Sequence, residues 1–243
     1  MRLVVALVGL SAWFALAGAP VSRAFADDAN TCMHRLGDEQ IEACTRAIQS
    51  GRWSGQGLAR VYARRGIAYR AKGDLDRAMA DYHEVIRLDP KLPNAYLELG
   101  LAYLYRGNLA RAFADVRQAS EFHPNDPYGA LWVDVVGQRG NLPSRLSEAI
   151  SNIDMTAWPA PIIRLLLDQT TPSAVLAAAD DPDPVKQTGQ VCEANFFSGE
   201  WALRNEAKDE VRRLFLLAAS DCPKSFIQRG AALEELKLLG ASR

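Results

Sequence analysis

The sequence predicts an all-α fold, an α-solenoid of antiparallel helix pairs that ends in a helical C-terminal extension. The first observation is an internal repeat: residues 62–90 align without a gap with residues 96–124, 34 positions further on. Such periods are typical of arrays in which each unit buries its apolar face against its neighbours. The second is composition, because alanine and leucine, both good helix formers, dominate a chain that is only 8% aromatic.

Five matched positions define the repeating unit. They are Gly66 and Gly100, Tyr69 and Tyr103, Gly73 and Gly107, Ala78 and Ala112, and Pro90 and Pro124. This order of small, aromatic and proline residues resembles the tetratricopeptide repeat, a helix–turn–helix unit of 34 residues. We therefore predict two full repeats over residues 59–126.

The glycines have a structural explanation in this frame. Gly66 is expected to face Ala78 across the helix pair, where a missing side chain lets the two backbones approach closely. Gly73 is expected in the turn, where glycine adopts a positive φ at little cost. A phosphate-binding loop is the competing interpretation, but the sequence has no GxxxxGK[ST] motif after a strand.

A weaker third copy spans residues 192–223. Gly199 takes the place of Gly66, and Glu206 stands where the turn glycine would be. Cys192 would open the first helix of this pair and Cys222 would close the second. Because antiparallel helices bring those ends together, we predict a disulfide between them.

Residues 27–57 are predicted to form a degenerate N-terminal hairpin, closed by a second disulfide between Cys32 and Cys44. A zinc site formed by Cys32, His34 and Cys44 is a weaker alternative, since it lacks a fourth ligand and the C-x-x-C spacing.

Residues 127–191 lose the period and are predicted to be irregular and helical. Residues 192–243 combine the last hairpin with a final amphipathic helix, 225–240, suited to capping the array.

The first 26 residues have the pattern of a secretory signal peptide. An apolar run follows Arg2, and Ala24-Phe25-Ala26 places small residues where a signal peptidase cleaves. We predict cleavage after Ala26 and a periplasmic, exported protein; an uncleaved membrane anchor is the alternative. Four cysteines, an even number, fit disulfide pairing in such a compartment.

Charge argues against nucleic acid as a partner. The full chain has 28 basic and 29 acidic residues, and cleavage removes two arginines and no acid, which leaves a net charge of −3. No long basic run is present, whereas nucleic-acid-binding surfaces are strongly basic.

The order of segments resembles the NlpI-type family of periplasmic tetratricopeptide proteins. The resemblance rests on "PYGALWVDVVGQRGN" after the two clear repeats, "EANFFSGEWAL" in the last repeat and "LFLLAASDCPKSFIQRGAALEELKLLG" at the end. It implies a helical adaptor, often a homodimer, that brings a tail-specific protease to its substrates and binds cell-wall hydrolases. Founding members are lipoproteins, whereas no lipid-bearing cysteine follows the apolar run here, and the paired cysteines are not part of that pattern.

A partner-binding groove is predicted along the first helices, at repeat positions 2, 5, 9, 12 and 13. The predicted groove residues are Arg60, Ile67, Arg70, Asn94, Leu97, Leu101, Leu104 and Tyr105. The last repeat offers Glu193, Phe196, Glu200, Leu203 and Arg204 at the same positions.

Leu97 to Tyr105 form either an exposed hydrophobic strip or a strip that the middle helices cover; both interpretations stay open. Ala63 and Ile67 stand where a clamp for a peptide carboxylate needs lysine and asparagine, so an amphipathic helix or apolar segment fits better.

The sequence offers no pattern for catalysis. It has three histidines and no HExxH, GxSxG or paired-carboxylate motif. We therefore expect no enzymatic activity, no cofactor and no metal. Two functions are considered: an adaptor for protein partners, and a small-ligand or glycan-binding protein with a pocket lined by Trp132, Trp158 and Trp201.

Overall fold

The computed structural model describes residues 28–224 and 226–241, so the predicted signal peptide lies outside the described residues. Within these residues the structure has helices and no strands, which confirms the all-α array. In chain order the helices are α1 (28–34), α2 (Asp38–Gln49), α3 (Gly55–Ala71), α4 (Leu75–Leu88), α5 (Pro93–Tyr105), α6 (Leu109–Phe122), α7 (Pro127–Arg139), α8 (Leu146–Ala149), α9 (Ala160–Leu166), α10 (Pro172–Ala178), α11 (Pro184–Arg204), α12 (Lys208–Asp221) and α13 (Ile227–Ala241). A short 3-10 helix, Ile150–Asn152, follows α8.

Three helix pairs repeat the same geometry: α3 with α4, α5 with α6, and α11 with α12. The turn residues Gly73 and Gly107 both have φ +78°, as predicted. Asp74 and Asn108 follow them and cap α4 and α6, each side chain accepting a hydrogen bond from a backbone N–H of the first turn.

The close contact inside each pair differs from the prediction in one respect. A Cβ placed at Gly66 would lie 2.8 Å from the ring of Tyr82, rather than against Ala78. The equivalent atom at Gly100 would lie 2.7 Å from Val116, and at Gly199 it would lie 2.7 Å from Phe215. Glycine is therefore needed because Tyr82, Val116 or Phe215 fills the place of its side chain, and at Gly100 the backbone of Ala112 is also close, 3.0 Å from that Cβ, as predicted.

Both predicted disulfides are present. Cys32 bonds to Cys44 and Cys192 to Cys222. The first pairing removes two ligands from the alternative zinc site. The second closes the α11–α12 pair over a separation of 30 residues, and loops of this size stabilise a fold by about 3 kcal/mol through the unfolded state.

One large core runs through the array. Its centre is an aromatic group in which Trp132 of α7 packs on Phe196 and Phe197 of α11, with ring centroids 5.3 and 5.7 Å apart. The N-terminal hairpin has a small core of its own around Cys32, Cys44 and Val61. The irregular segment joins this core, because its helix α9 contacts both α7 and α11.

Helix α13 packs along α12, as a cap would. It also crosses to the other end of the array, because its Gly230 lies against the guanidinium of Arg70 and its Lys237 lies beside Gly73. This second set of contacts was not predicted, and it changes the candidate site.

Candidate partner-binding groove

The first helices α3 and α5 carry the eight predicted groove residues, which differ in how deeply they are buried. Arg60 and Asn94, near the start of α3 and α5, are exposed. Ile67, Leu97 and Tyr105 are partly buried, whereas Arg70, Leu101 and Leu104 are buried. The groove is thus open towards the N-terminal ends of its helices and closed towards their C-terminal ends.

Of the two interpretations of the apolar strip, exposed or covered, the structure favours the covered one for its C-terminal half. Leu101 is 1% exposed and Leu104 is 7% exposed. They belong to the same core as Ala231 and Ala232 of α13, and Tyr105, one turn beyond Leu101, faces Glu235. Helix α13 lies at this end of the groove, next to Arg70 and Tyr105. We call the part of the groove that contains Arg70, Leu101, Leu104 and Tyr105 the covered half. The part that contains Arg60, Ile67, Asn94 and Leu97 is the open half.

A buried ionic cluster joins α13 to the first helices in the covered half. Arg139, the last residue of α7, lies 2.5 Å from Glu200 of α11 and 3.1 Å from Glu235 of α13. Both glutamates are almost fully buried. Burial and the neighbouring Glu200 carboxylate raise the pKa of Glu235 to about 7, although Arg139 opposes that shift.

Glu235 is well partnered, because both of its carboxylate oxygens lie within 3.2 Å of the Arg139 guanidinium. One carboxylate oxygen of Glu200 is buried without a hydrogen bond among the described residues. Burial and the two glutamates hold the pKa of Tyr105 well above its usual value. A buried acceptor without a donor costs stability, so this Glu200 oxygen offsets part of what the ion pairs contribute.

A second buried pair lies below Gly230. Arg70 of α3 approaches Glu98 of α5 at 2.6 Å, and Tyr82 donates its hydroxyl to the same carboxylate over 3.2 Å. Arg70, predicted as a groove contact, is therefore used to hold two neighbouring repeats together. Gly230 of α13 also lies against the guanidinium of Arg70.

The concave positions of the last repeat do not line an open groove. Phe196 lies in the aromatic core, and Glu193 accepts hydrogen bonds from Trp158 (2.6 Å) and Tyr128 (2.8 Å). Burial raises the pKa of Glu193, which these two hydrogen bonds partly offset. Arg204 binds the backbone carbonyl of Leu166 and the carboxylate of Asp168.

The three tryptophans do not share a pocket. Trp132 is in the core, Trp158 donates to Glu193, and Trp201 donates to Asp168 over 2.8 Å. A cavity of about 500 Å³ does lie between the array and the middle segment. Its lining includes Phe113, Val133, Leu142, Leu146, Arg117 and Arg145.

Sequence reasoning missed Arg139 and Glu235. The repeat period contained a signal for Arg139, because it lies 34 residues beyond Tyr105 and so occupies a concave position of a third first helix. Glu235 carried no such signal, since α13 belongs to no repeat.

Comparison with protein families supports the repeat assignment independently of the geometry. The TPR repeat family model matches residues 66–107, from the close-contact glycine of α3 to the turn glycine after α5. This stretch of the array therefore matches the tetratricopeptide repeat. Tetratricopeptide arrays present extended concave surfaces and serve as scaffolds for protein–protein interaction.

Three further findings concern the part of the chain that the structure describes. Within residues 28–224 and 226–241, no helix is long and apolar enough to cross a membrane. The same part of the chain holds no group of three or more histidine, cysteine or acidic side chains that could bind a metal ion. The two disulfides favour an oxidising compartment.

Proposed function

We propose that this protein is a non-catalytic periplasmic adaptor that binds protein partners through the open half of its groove. The observation that carries the proposal is the half-open concave surface of a tetratricopeptide array. There Leu97 and Ile67 offer apolar contact beside Arg60 and Asn94. Such a mixed surface suits a helix or an extended segment with both apolar and polar side chains.

The resemblance of the sequence to NlpI-type proteins supports a choice of partners. We propose a tail-specific protease and cell-wall hydrolases, brought together by the array, with a homodimer as the assembled form. Export by a cleaved signal peptide over residues 1–26 is part of the same proposal.

Affinity capture tests the adaptor role. The tagged chain lacking residues 1–26 is expressed in the periplasm beside a Leu97→Glu variant, and captured proteins are identified and then rebound from purified components. Leu216→Glu is the matched control, because Leu216 is exposed on a second helix, outside the groove. Capture of a protease or wall hydrolase that Leu97→Glu abolishes and Leu216→Glu retains supports the proposal. Equal capture by all three proteins contradicts the assignment of the groove.

The cavity beside α7 favours a second candidate function, the binding of a small ligand or glycan fragment. Its volume falls within the range of ligand sites. Thermal stabilisation by cell-wall fragments, lost when Val133→Trp fills the cavity, would support this function. Unchanged melting of both proteins in the presence of the fragments would reject it.

A further inference from the structure

Helix α7 lacks the second helix that would complete its pair. Adding the period of 34 to the bounds of α6 places such a helix over residues 143–156. The chain there forms only the short helix α8 and the 3-10 helix that follows it. One side of α7 is therefore left without the long second helix that α3, α5 and α11 each pack against.

Asp134 marks that side of α7. It lies 34 positions after Gly100, at the place where Gly66, Gly100 and Gly199 each meet a side chain of their second helix. Asp134 also belongs to the lining of the cavity of about 500 Å³ beside α7. The cavity thus lies on the side of α7 where a second helix would pack.

The lining of this cavity is largely apolar. Its walls come from α6, α7 and the segment 142–152. The apolar lining residues include Phe113, Ala130, Val133, Leu142, Leu146 and Ala149. Such a lining favours a ligand with an apolar body.

Four exposed charges of the lining neutralise one another. Arg117 lies 3.3 Å from Glu121 on α6, and Arg145 lies 2.7 Å from Glu148 in the segment that forms the opposite wall. Each arginine thus has a carboxylate of its own, and these two pairs give the cavity no net charge.

Asp134 is the charge that remains. It is 4% exposed, and its carboxylate accepts hydrogen bonds from two neutral donors, Gln138 over 2.6 Å and the hydroxyl of Ser144. Within the described part of the chain no basic side chain lies at ion-pair distance from it, since Arg204 is paired with Asp168 instead. Buried charges in proteins are ordinarily paired, so an unpaired carboxylate in the wall of a cavity indicates a place for a cation.

The hydrogen bonds of Asp134 leave room for a ligand. Gln138 binds Oδ2 and Ser144 binds Oδ1, whereas a carboxylate offers about four acceptor sites. Burial raises the pKa of Asp134, and a cation in the cavity would oppose that effect because it favours the ionised carboxylate.

We propose that the cavity beside α7 binds a small organic cation, an ammonium or guanidinium group on an apolar body, and that Asp134 binds its charge. The apolar body would contact side chains such as Val133 and Leu146. This inference rests on ligand binding, the second candidate function, and deepens it, because it assigns the chemical class of the ligand.

Three probes of similar size and different charge test the assignment. Hexylammonium, 1-hexanol and hexanoate are titrated into the purified protein near neutral pH, and binding is followed by isothermal titration calorimetry. Hexylammonium should bind at least about tenfold more tightly than 1-hexanol, because its hydrogen bond to Asp134 is between charged groups. Hexanoate should bind most weakly, since it would place a second carboxylate beside Asp134.

Asp134→Asn removes the charge and nearly preserves the shape of the side chain. The affinity of hexylammonium relative to 1-hexanol should fall to about one, and this ratio cancels any general loosening of the cavity. Glu148→Gln is the matched control, an acid-to-amide change at an exposed lining residue, and should preserve the ratio. Val133→Trp, which fills the cavity, should abolish binding of all three probes.

The probe series on the unaltered protein, together with Val133→Trp, decides the matter if Asp134→Asn fails to fold by circular dichroism. Equal affinities for hexylammonium and 1-hexanol overturn the proposal. So does a ratio that folded Asp134→Asn leaves unchanged, or one that Glu148→Gln abolishes equally. Absence of binding by all three probes overturns it as well.

These results separate the inference from the functions on which it is built. Thermal stabilisation by cell-wall fragments that Val133→Trp removes would keep the ligand-binding function even when the three probes show no preference for a cation. Loss of partner capture in Leu97→Glu would keep the adaptor function whatever the cavity binds.

Discussion

At the scale of single residues, three glycines set how closely the helices of each pair approach. Gly66, Gly100 and Gly199 occupy the same position, and each is filled by a side chain from the second helix. The contacting side chain differs between the pairs: Tyr82 at Gly66, Val116 at Gly100 and Phe215 at Gly199. The constraint is therefore the absence of a Cβ on the first helix, and the second helix supplies whatever fits the remaining space.

Gly100→Leu should destabilise the fold by about 2–4 kcal/mol, because overpacking adds to strain on the backbone. A Cβ at this position would lie 2.7 Å from Val116 and 3.0 Å from the carbonyl oxygen of Ala112. Urea denaturation measures the loss, with Gly240→Leu as the control that has open space. Equal unfolding free energies for the two variants would show that the close contact is not as described.

Glu235 should make stability depend on pH. Its pKa is about 7 in the folded protein and 4.5 ordinarily, so the folded state binds its proton more tightly than the unfolded state does. The stability that this proton provides is fully present below about pH 4.5 and is lost as pH rises through 7. A shift of this size corresponds to a loss of at most about 3 kcal/mol.

Glu235→Gln should remove that dependence, since Gln carries no titrating proton and Glu200 still neutralises Arg139. The free energy of unfolding of both proteins is measured from pH 4.5 to 8.5. Other buried acids with raised pKa values, such as Glu193 and Asp134, contribute equally to both proteins and cancel in the difference. Parallel curves for the two proteins would contradict the assigned titration.

At the scale of elements, the three helix pairs use the same turn with different residues. After α3, α5 and α11, a backbone N–H bonds back to the fifth residue before it, each time over 2.9 Å. The residue in the left-handed conformation is Gly73, Gly107 and Glu206, with φ of 78°, 78° and 56°. A side chain in this conformation is strained, so the turn of the last repeat costs more to form.

Glu206→Gly should therefore stabilise the protein by about 0.5–1 kcal/mol, since relief of strain exceeds the added flexibility of the unfolded chain. Gly107→Ala is the reciprocal change and should destabilise by about 1 kcal/mol, because a Cβ there meets nothing within 4 Å and only the backbone responds. Melting temperatures of the two variants should move in opposite directions. A lower melting temperature for Glu206→Gly would contradict this account of the turn.

At the scale of the whole molecule, the parts predicted correctly are those that a local pattern encodes. The 34-residue offset predicted the helix pairs and their turn glycines, and the placement of Cys192 and Cys222 at helix ends predicted their disulfide. The packing position of α13 could not be predicted from a local sequence pattern. It depends on Gly230 meeting Arg70, 160 positions earlier in the chain, and on Glu235 meeting Arg139, and neither contact follows a period.

The same limit explains the candidate site. Repeat positions place Arg60, Asn94 and Leu97 along the first helices, where Arg60 and Asn94 are exposed and Leu97 is partly buried. They could not show that Leu101 and Leu104, equally apolar and equally in register, are buried in the core. Exposure of a groove is a property of the whole array, whereas register is a property of one unit.

Site-specific photo-crosslinking in the periplasm tests the central claim, that the open half of the groove binds protein partners, most directly. A photoreactive residue replaces Asn94 in the open half, or Leu216 on a second helix as the control, and crosslinked proteins are identified by mass spectrometry. The account predicts a defined partner crosslinked from position 94, absent from position 216, and lost when Leu97→Glu is added. No crosslinked protein from position 94, or the same products from both positions, would contradict it.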